Sequence, residues 1–533
     1  MRAIFFLGIF LFLFSNLILA ENSVNRDSDP VIITGDEIPA LAGMEITQIV
    51  GFRFDGSWQQ VPIQIDEKKW VDFLAVYNNQ KYQYMDSMVP GYGIMAYTDP
   101  NTYVGPDTDS TFDDNDELVF MAKDCGERAL GFALVPLGVY EQPSIEIEIY
   151  DLLEGKKGYI YLFENDGTMP LDTRCDYVSY NFNLLSGSYI PDYKLAAGPN
   201  PENTEVITPY YRTHFSDRWI TDELNIYAGT STGVDILDRH KNLFSPDYCG
   251  RHEDTFSNGE GAFFTNKDGP VRAIRSYIGA NSGPATHRDH FFYEKRQDVN
   301  VYLRVHSIPS IMDVYDYSPA ATGMHYYNNL NPNGVIIDGS NDSVITGPLL
   351  WEMVTGWQGT MVFSHSIITN ITSTTDTSYY SDDSTPSASQ CTGDDYEYAT
   401  SGLWLQGNIP NTDPYLAGPC FIRQSNRVIY YEEPNQPISL AQYRDSQAQN
   451  PLQVTVYNYN PNQADFDNSR SINLIDFSHL ILNWYDENCN EPGWCNNSDL
   501  NFSGNVDFED LSILIKYWLS SGSIGLTQPC SCN

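Results

Sequence analysis

The chain has 533 residues, 29 Lys and Arg against 70 Asp and Glu, and a formal net charge of −41. A surface this acidic repels nucleic acid and anionic membranes, so neither is an expected partner. Tyr (37), Phe (26) and Trp (9) are plentiful, and the length suits two to four domains with sizeable cores.

At the N-terminus, Met1-Arg2 precedes an apolar run from Ile4 to Phe14, then Ser15 to Ala20. A basic start, an apolar centre and a small residue at the cut site predict a secretory signal peptide over 1–20, with an uncleaved anchor as the alternative. No later stretch approaches the roughly 18 apolar residues that span a membrane. The expected location is extracellular, where disulfides persist. There are nine cysteines. Proximity in sequence predicts Cys489–Cys495 and Cys391–Cys420, and the odd count leaves at least one thiol free or paired to another chain. The lack of a CxxC pair argues against a structural zinc.

Residues 21–460 carry short runs of period-two alternation separated by Gly, Asn, Asp and Pro. Trp58–Ile65, Ser144–Tyr150, Gly158–Phe163, Val299–His306 and Leu452–Tyr457 are examples. They predict half-buried antiparallel strands and no long helix before residue 465. The expected fold class is mainly β: one or two antiparallel β-sandwich domains, here drawn at 21–173 and 174–460.

Within the first region, Asp107, Asp109, Asp113, Asp114, Asp116 and Glu117 crowd one stretch before the apolar run Leu118–Ala122. They suit either a calcium ion or a solvated turn. Within the second region, seven of the nine histidines lie between His214 and His325, beside nine arginines. The densest piece reads as strand, loop, strand and holds Arg272, Arg275, His287, Arg288, His290 and Tyr293, the candidate catalytic residues. Alternation places Arg272 and Ser276 on one face of the first strand, and Ala273, Arg275 and Tyr277 on the other.

Two chemistries suit this cluster. In a lyase acting on an acidic polysaccharide, an arginine neutralises the uronate carboxylate and a His or Tyr removes the acidified α-proton. A glycoside hydrolase needs two carboxylates flanking the bond, and Asp235, Asp238, Asp289, Glu294, Asp313, Asp316 and Glu352 are candidates. A structural reading stands beside both, with Arg and His tying loops to Asp289 and Glu294. Gly269-Pro-Val-Arg272 is similar over a few residues to pieces of large β-sandwich polysaccharide lyases, and no role is carried over from it. Trp351-Glu-Met-Val-Thr-Gly-Trp357 offers either a sugar-stacking patch or core tryptophans.

The last part is a duplication. Asp465, Asp467, Ser469, Ser471, Asn473 and Asp476 occupy positions 1, 3, 5, 7, 9 and 12 of one loop. Asp499, Asn501, Ser503, Asn505, Asp507 and Asp510 occupy the same positions 34 residues later. This oxygen-donor spacing suits Ca2+. Gly504 sits where the loop turns sharply, whereas the first loop has Arg470, so the second site is expected to bind more tightly. Apolar residues at i, i+3, i+4 and i+7 follow each loop and predict two short helices.

This segment, 461–520, resembles a dockerin, the small duplicated calcium module of secreted bacterial carbohydrate-active proteins. The resemblance implies a small α-helical domain with two EF-hand-like calcium loops, and a cohesin-like scaffold partner. Leu474 and Ile475 of the first copy differ from Phe508 and Glu509 of the second, so the two docking faces are unequal. Residues 521–533 form a small-residue tail. Through this resemblance the expected function is extracellular polysaccharide breakdown, by a lyase or an O-glycosyl hydrolase. The alternative is a non-catalytic carbohydrate-binding or scaffold-associated protein.

Overall fold

The alternating runs become antiparallel strands, and the protein is mainly β. The computed structural model describes residues 24–72, 93–129, 135–169, 175–186, 200–245, 248–257, 261–280, 283–303, 308–369, 371–387, 391–409, 423–459, 464, 466, 472–490, 494–501, 503–516 and 518. The expected signal peptide, Asp465, Asp467, Ser469, Arg470, Ser471 and the tail 521–533 lie outside the described residues.

The first nine strands are β1 Pro30–Thr34, β2 Ile49–Phe54, β3 Trp58–Val61, β4 Gln64–Asp66, β5 Lys68–Asp72, β6 Gly93–Tyr97, β7 Glu117–Met121, β8 Val139–Asp151 and β9 Lys156–Asn165. They build a sheet β1-β7-β4, a hairpin β5-β6 and the four strands β8-β9-β2-β3 of a five-stranded sheet. The run Trp58–Ile65 does not stay one strand. It breaks at Pro62, and β3 and β4 join different sheets. In β9 the period of two sorts the side chains. Ile160 and Leu162 meet Ile145, Ile147, Ile149, Ile33, Leu118 and Phe120 in one core. Tyr159, Tyr161 and Phe163 face the other way, with Phe52, Trp58 and Tyr459. Full burial of each such aliphatic side chain stabilises by about 1.5–3 kcal/mol.

The middle of the chain supplies β10 Ser179–Asn181, β11 Thr204–Ile207, β12 Tyr211–Asp217, β13 Ile220–Ile226, β14 Leu237–Phe244, β15 Ala262–Lys267, β16 Ala273–Ala280, β17 Gly283–Phe292, β18 Arg296–Leu303 and β19 Ile308–Tyr317. Then come β20 His325–Asn328, β21 Asn331–Ile336, β22 Trp351–Gly356, β23 Gly359–Thr369, β24 Thr375–Asp383, β25 Glu397–Ile409, β26 Arg423–Glu432 and β27 Gln453–Asn458. A nine-stranded sheet runs β15-β16-β17-β18-β26-β23-β22-β20-β21. One face packs on the four-stranded sheets β10-β11-β12-β13 and β14-β19-β25-β24, sharing a core that includes Tyr211, Phe215, Phe292, Val299, Tyr315, Tyr326, Phe363, Ile429 and Tyr431.

Two expectations are corrected here. First, β27 pairs with β8, Val454 opposite Ile149, so residues 453–458, drawn in the second region, join the first region's sheet. Second, Ile438–Gln449 is a helix of 12 residues. It has no apolar stripe, which is why no helix was expected. Polar contacts hold it instead: Arg444 Nε on Glu432 at 2.6 Å, Ser364 Oγ on Asp445 at 2.6 Å and Tyr443 Oη on Glu154 at 2.6 Å.

Beyond β27, two nine-residue helices, Leu474–Leu482 and Phe508–Lys516, occupy equivalent places in the repeat. Leu480 and Leu514, 34 residues apart, are both fully buried. They belong to the same apolar cluster as Trp58, Tyr161, Phe163 and Tyr459. Cys489–Cys495 forms as expected. Cys391 pairs with Cys249 rather than Cys420, because β14 and β25 bring the segments beside them into one sheet. Cys175 is also disulfide-bonded, and Cys125 is a buried free thiol.

Candidate functional site

β16 and β17 pair with Ser276 opposite Asp289 and Tyr277 opposite Arg288. This register splits the six candidate catalytic residues into two sets of three. Arg272, His287 and Tyr293 lie on one face. Arg275, Arg288 and His290 lie on the other, inside the sandwich. The six do not share one face of the hairpin, in keeping with the alternation that separates Arg272 from Arg275.

The inward set is buried and paired. Arg275 makes a bidentate ion pair with Glu202, 2.9 and 2.6 Å, under the rings of Phe215 and Phe263. Arg288 reaches Asn242 Oδ1 at 2.6 Å and lies over Trp219. His290 sits between Tyr277 Oη at 3.1 Å and the Gln297 side-chain amide at 3.0 Å. Burial and then the Arg288 charge lower its pKa far below the usual histidine range. Further inside, Asp313 takes His240 Nε2 at 2.6 Å and Arg427 at 3.1 Å. Glu352 takes His365 and Tyr326, each at 3.1 Å. Several carboxylates proposed for hydrolysis thus hold the core together.

The outward set lines a cavity of about 390 Å³ between the nine-stranded sheet and strands β1, β5, β6 and β7. Its buried floor holds Arg272, His287, Asp289 and Tyr293. Tyr97, Phe291 and Tyr302 add aromatic faces, Lys68 and Glu117 add charge, and Ile32 and Met95 stand exposed beside it. Arg272 is occupied. Its Nε donates to Asp66 at 2.8 Å and its Nη2 to Glu117 at 2.7 Å, and Tyr97 and Phe291 lie within about 5 Å of its guanidinium. Burial works against the carboxylates, yet the Arg272 charge keeps both Asp66 and Glu117 below their ordinary pKa. The Gly269-Pro-Val-Arg272 segment is a strap between regions. Gln64 Oε1 accepts the Val271 and Arg272 amides at 3.1 and 3.0 Å, and a Cβ on Gly269 would lie 2.4 Å from that oxygen.

His287 is the group in this cavity best placed to move a proton. Its Nε2 lies 2.7 Å from Asp289 Oδ1 and 2.9 Å from Ser276 Oγ, and Tyr302 stacks on its ring at 5.4 Å. Burial raises the Tyr97 hydroxyl well above its ordinary range and pushes Tyr293 up to about 12. These phenols are hydrogen-bond donors at neutral pH rather than bases. Tyr97, Tyr302 and Lys68 were missed from sequence. Tyr302 stood in an expected strand, and alternation with Asn300 was its only mark.

The other sequence-level sites fall elsewhere. In the acidic stretch, Asp107 and Asp109 accept local backbone N–H groups, and Asp116 accepts the Lys68 and Asp113 amides. Trp351 is core, whereas Trp357 is 54% exposed, so the two tryptophans do not form one platform. Asp235 caps local amides, and Glu294 pairs with Lys123. Among the described residues Asp238, Asp316 and Asp394 bring carboxylate oxygens within 4.8 Å of one another. Lys241 bonds Asp316 and the Asp394 amide bonds Asp238, so positive partners are already present.

The repeat loops fold alike where described. Asp476 Oδ1 accepts Phe466 N at 2.7 Å and its Oδ2 accepts Asn473 N at 2.9 Å. Asp510 Oδ1 accepts Leu500 N at 2.6 Å and its Oδ2 accepts Asp507 N at 2.7 Å. The position-12 carboxylate thus closes both loops in the same way. Asp499 accepts Ser503 N and Gly504 N at 3.0 and 2.8 Å, and Gly504 has φ +94°. Each carboxylate oxygen that accepts one N–H keeps a second lone pair. Both Asp499 oxygens keep such a lone pair, Asp510 keeps one on Oδ2 alone because its Oδ1 also accepts Asn501 N at 3.1 Å, and the loop 499–510 contains no Lys or Arg.

No family model matches the chain, and no curated protein matches it. Three solved structures overlap it at 8% identity. One is provisionally described as an aldose 1-epimerase from Escherichia coli K12, with TM-score 0.19 over 48% of this chain and 100% of that one. The second is an alpha-mannosidase from Enterococcus faecalis V583, with TM-score 0.28 over 77% of this chain and 46% of that one. The third is a glycosyl hydrolase family 38 protein from Enterococcus faecalis, with TM-score 0.27 over 77% and 47%. The chain spans about half the length of the last two, and nothing about its chemistry is taken from overlaps this slight.

Proposed function

We propose that the protein is an exported carbohydrate-active protein that takes a polysaccharide segment into the cavity beside His287. The observation that carries this is the lining: aromatic faces of Tyr97, Phe291 and Tyr302 beside the forked polar groups of Asp289 and Asn300. A pyranose needs both, apolar faces for its C–H side and polar groups for its hydroxyls. The volume falls within the range of small-ligand sites, about 300–1,000 Å³.

In the catalytic form of this reading, His287 is the general acid or base. Asp289 and Ser276 orient its imidazole, which fixes where the proton is held and delivered. Arg272 is a positioning residue: it ties Glu117 and Asp66 into the wall and leaves no free guanidinium for a substrate carboxylate. The reaction class is hydrolysis or lyase cleavage of a glycosidic bond. A panel of neutral and acidic polysaccharides tests it, by reducing ends and by ultraviolet-absorbing unsaturated products. His287→Ala should lower release by about 10²–10⁴ while the fold survives. Saturation of Arg272 and Lys68 by carboxylates favours the second reading, a non-catalytic glycan binder. Binding without product would establish that one.

The C-terminal repeat is the docking part of this proposal. Ca2+ would neutralise the loop carboxylates and rigidify the loops. Asp465, Asp467, Ser469, Ser471, Asn473 and Asp476 would hold one ion, and Asp499, Asn501, Ser503, Asn505, Asp507 and Asp510 the other. A cohesin-like scaffold domain is the proposed partner. The disulfides support an exported chain. Among the described residues no helix is long and apolar enough to cross a membrane.

A further inference from the structure

We infer that the cavity beside His287 selects a neutral glycan over a uronic-acid one, which makes hydrolysis, rather than lyase cleavage, the reaction to look for. The inference rests on the carbohydrate reading of this cavity and goes beyond it by naming the substrate class. Its basis is the charge lining the site. Three carboxylates, Glu117, Asp289 and Asp298, face two cations, Lys68 and Arg272. Both cations are already engaged. Lys68 Nζ lies 2.9 Å from Glu117 Oε1, and Arg272 spans Glu117 and Asp66. A third carboxylate–cation pair, Asp298 with Arg296 at 2.6 Å, closes another side.

Among the described lining residues, a uronate entering here would therefore meet no cation without a carboxylate partner. It would have to displace an internal carboxylate from Arg272, a residue only 1% exposed at its side chain. Removing one partner of such a pair leaves a buried charge unpaired, which is strongly unfavourable. The protein's own charge of −41 adds a long-range repulsion against any polyanion. A neutral sugar meets none of these penalties. Its hydroxyls can donate to Asp289 and Asp298 and accept from Asn300, while Tyr302, stacked on His287, adds an aromatic ring to the lining.

The test is titration calorimetry on the whole protein with oligosaccharides of equal length. The neutral set is cello-, xylo- and manno-hexaose, and the acidic set is hexa-galacturonate and hexa-mannuronate. At least one neutral hexaose should bind at least about tenfold more tightly than either acidic one, a gap of about 1.4 kcal/mol. Tyr302→Ala should weaken that binding about tenfold, while Tyr302→Phe, which keeps the ring and the fold, should retain it. Equal or tighter binding of an acidic hexaose overturns the inference and leaves the carbohydrate reading standing. Neutral binding untouched by Tyr302→Ala places the glycan elsewhere and also overturns it. No binding by any hexaose removes the inference and the carbohydrate reading of this cavity together.

Discussion

Arg272 and Glu117 meet at 2.7 Å across the boundary between the nine-stranded sheet and strand β7, 155 residues apart in sequence. With Asp66 on the other side of the guanidinium, the contact fastens two sheets of the molecule and forms one wall of the cavity beside His287. Arg272→Ala should therefore destabilise the fold by up to about 3–5 kcal/mol, since Asp66 and Glu117 both lose a buried partner and keep only Lys267 and Lys68 as cations. Denaturant unfolding measures this. A variant as stable as wild type would mean the guanidinium is not holding the wall.

His287→Ala separates chemistry from stability. The imidazole is buried at the cavity floor, and Ser276 and Asp289, which it contacts, lie on β16 and β17 themselves. Loss of a positioned proton-transfer group lowers rate by about 10²–10⁴. The expected result is product release reduced to that extent, with the melting temperature changed by a few degrees. Arg275→Ala should do the reverse, failing in folding because Glu202 loses its bidentate partner.

Stability should depend on pH through the sandwich interior. Burial lowers His240 to about 4 from a usual 6.5, and His290 moves the same way. Between these values the unfolded chain binds more protons, so this contribution is whole above about pH 6.5 and is lost as pH falls toward 4. Asp316, pushed up to about 7 by burial, acts oppositely and gains stability as pH falls below 7. Comparing His240→Gln with wild type isolates the imidazole. Wild type should lose on the order of 2–3 kcal/mol more than the variant between about pH 7 and about pH 4.5. Parallel curves for the two proteins would contradict this.

Calcium should matter at the far end of the chain. Calorimetry on the intact protein is expected to show two binding events, and Asp510→Ala should remove the tighter. Because Leu480 and Leu514 share an apolar cluster with Trp58 and Tyr161, chelation should also lower the melting temperature. Absence of heat on adding Ca2+, together with an unchanged melt in chelator, would sink the assignment.

The Cys249–Cys391 bridge closes a loop with a sequence separation of 142. Loop-closure entropy predicts that Cys391→Ser costs about 5 kcal/mol. Unfolding of the variant under oxidising conditions checks this. A loss below about 1 kcal/mol would indicate that the pairing of β14 and β25 through β19 already constrains the same chain.

Period-two alternation is enough to read the β class and the strands at 144–150, 158–163 and 299–303 from the sequence. Donor spacing is enough to read the equivalence of Asp476 and Asp510, because both are local properties of the chain. Alternation by itself also divides Arg272 from Arg275, placing them on opposite faces of one strand. It does not say which face is open. That depends on what packs against each side, and here β1, β5, β6 and β7 arrive from residues 30–121 to leave a cavity on one face while the four-stranded sheets seal the other. The same non-local pairing draws β27 back to β8 and joins Cys391 to Cys249. It also commits the charge of Arg272 to two carboxylates that the sequence places far away. The identity of the residues is legible one by one; their partners, and so their chemistry, are decided only when the sheets close.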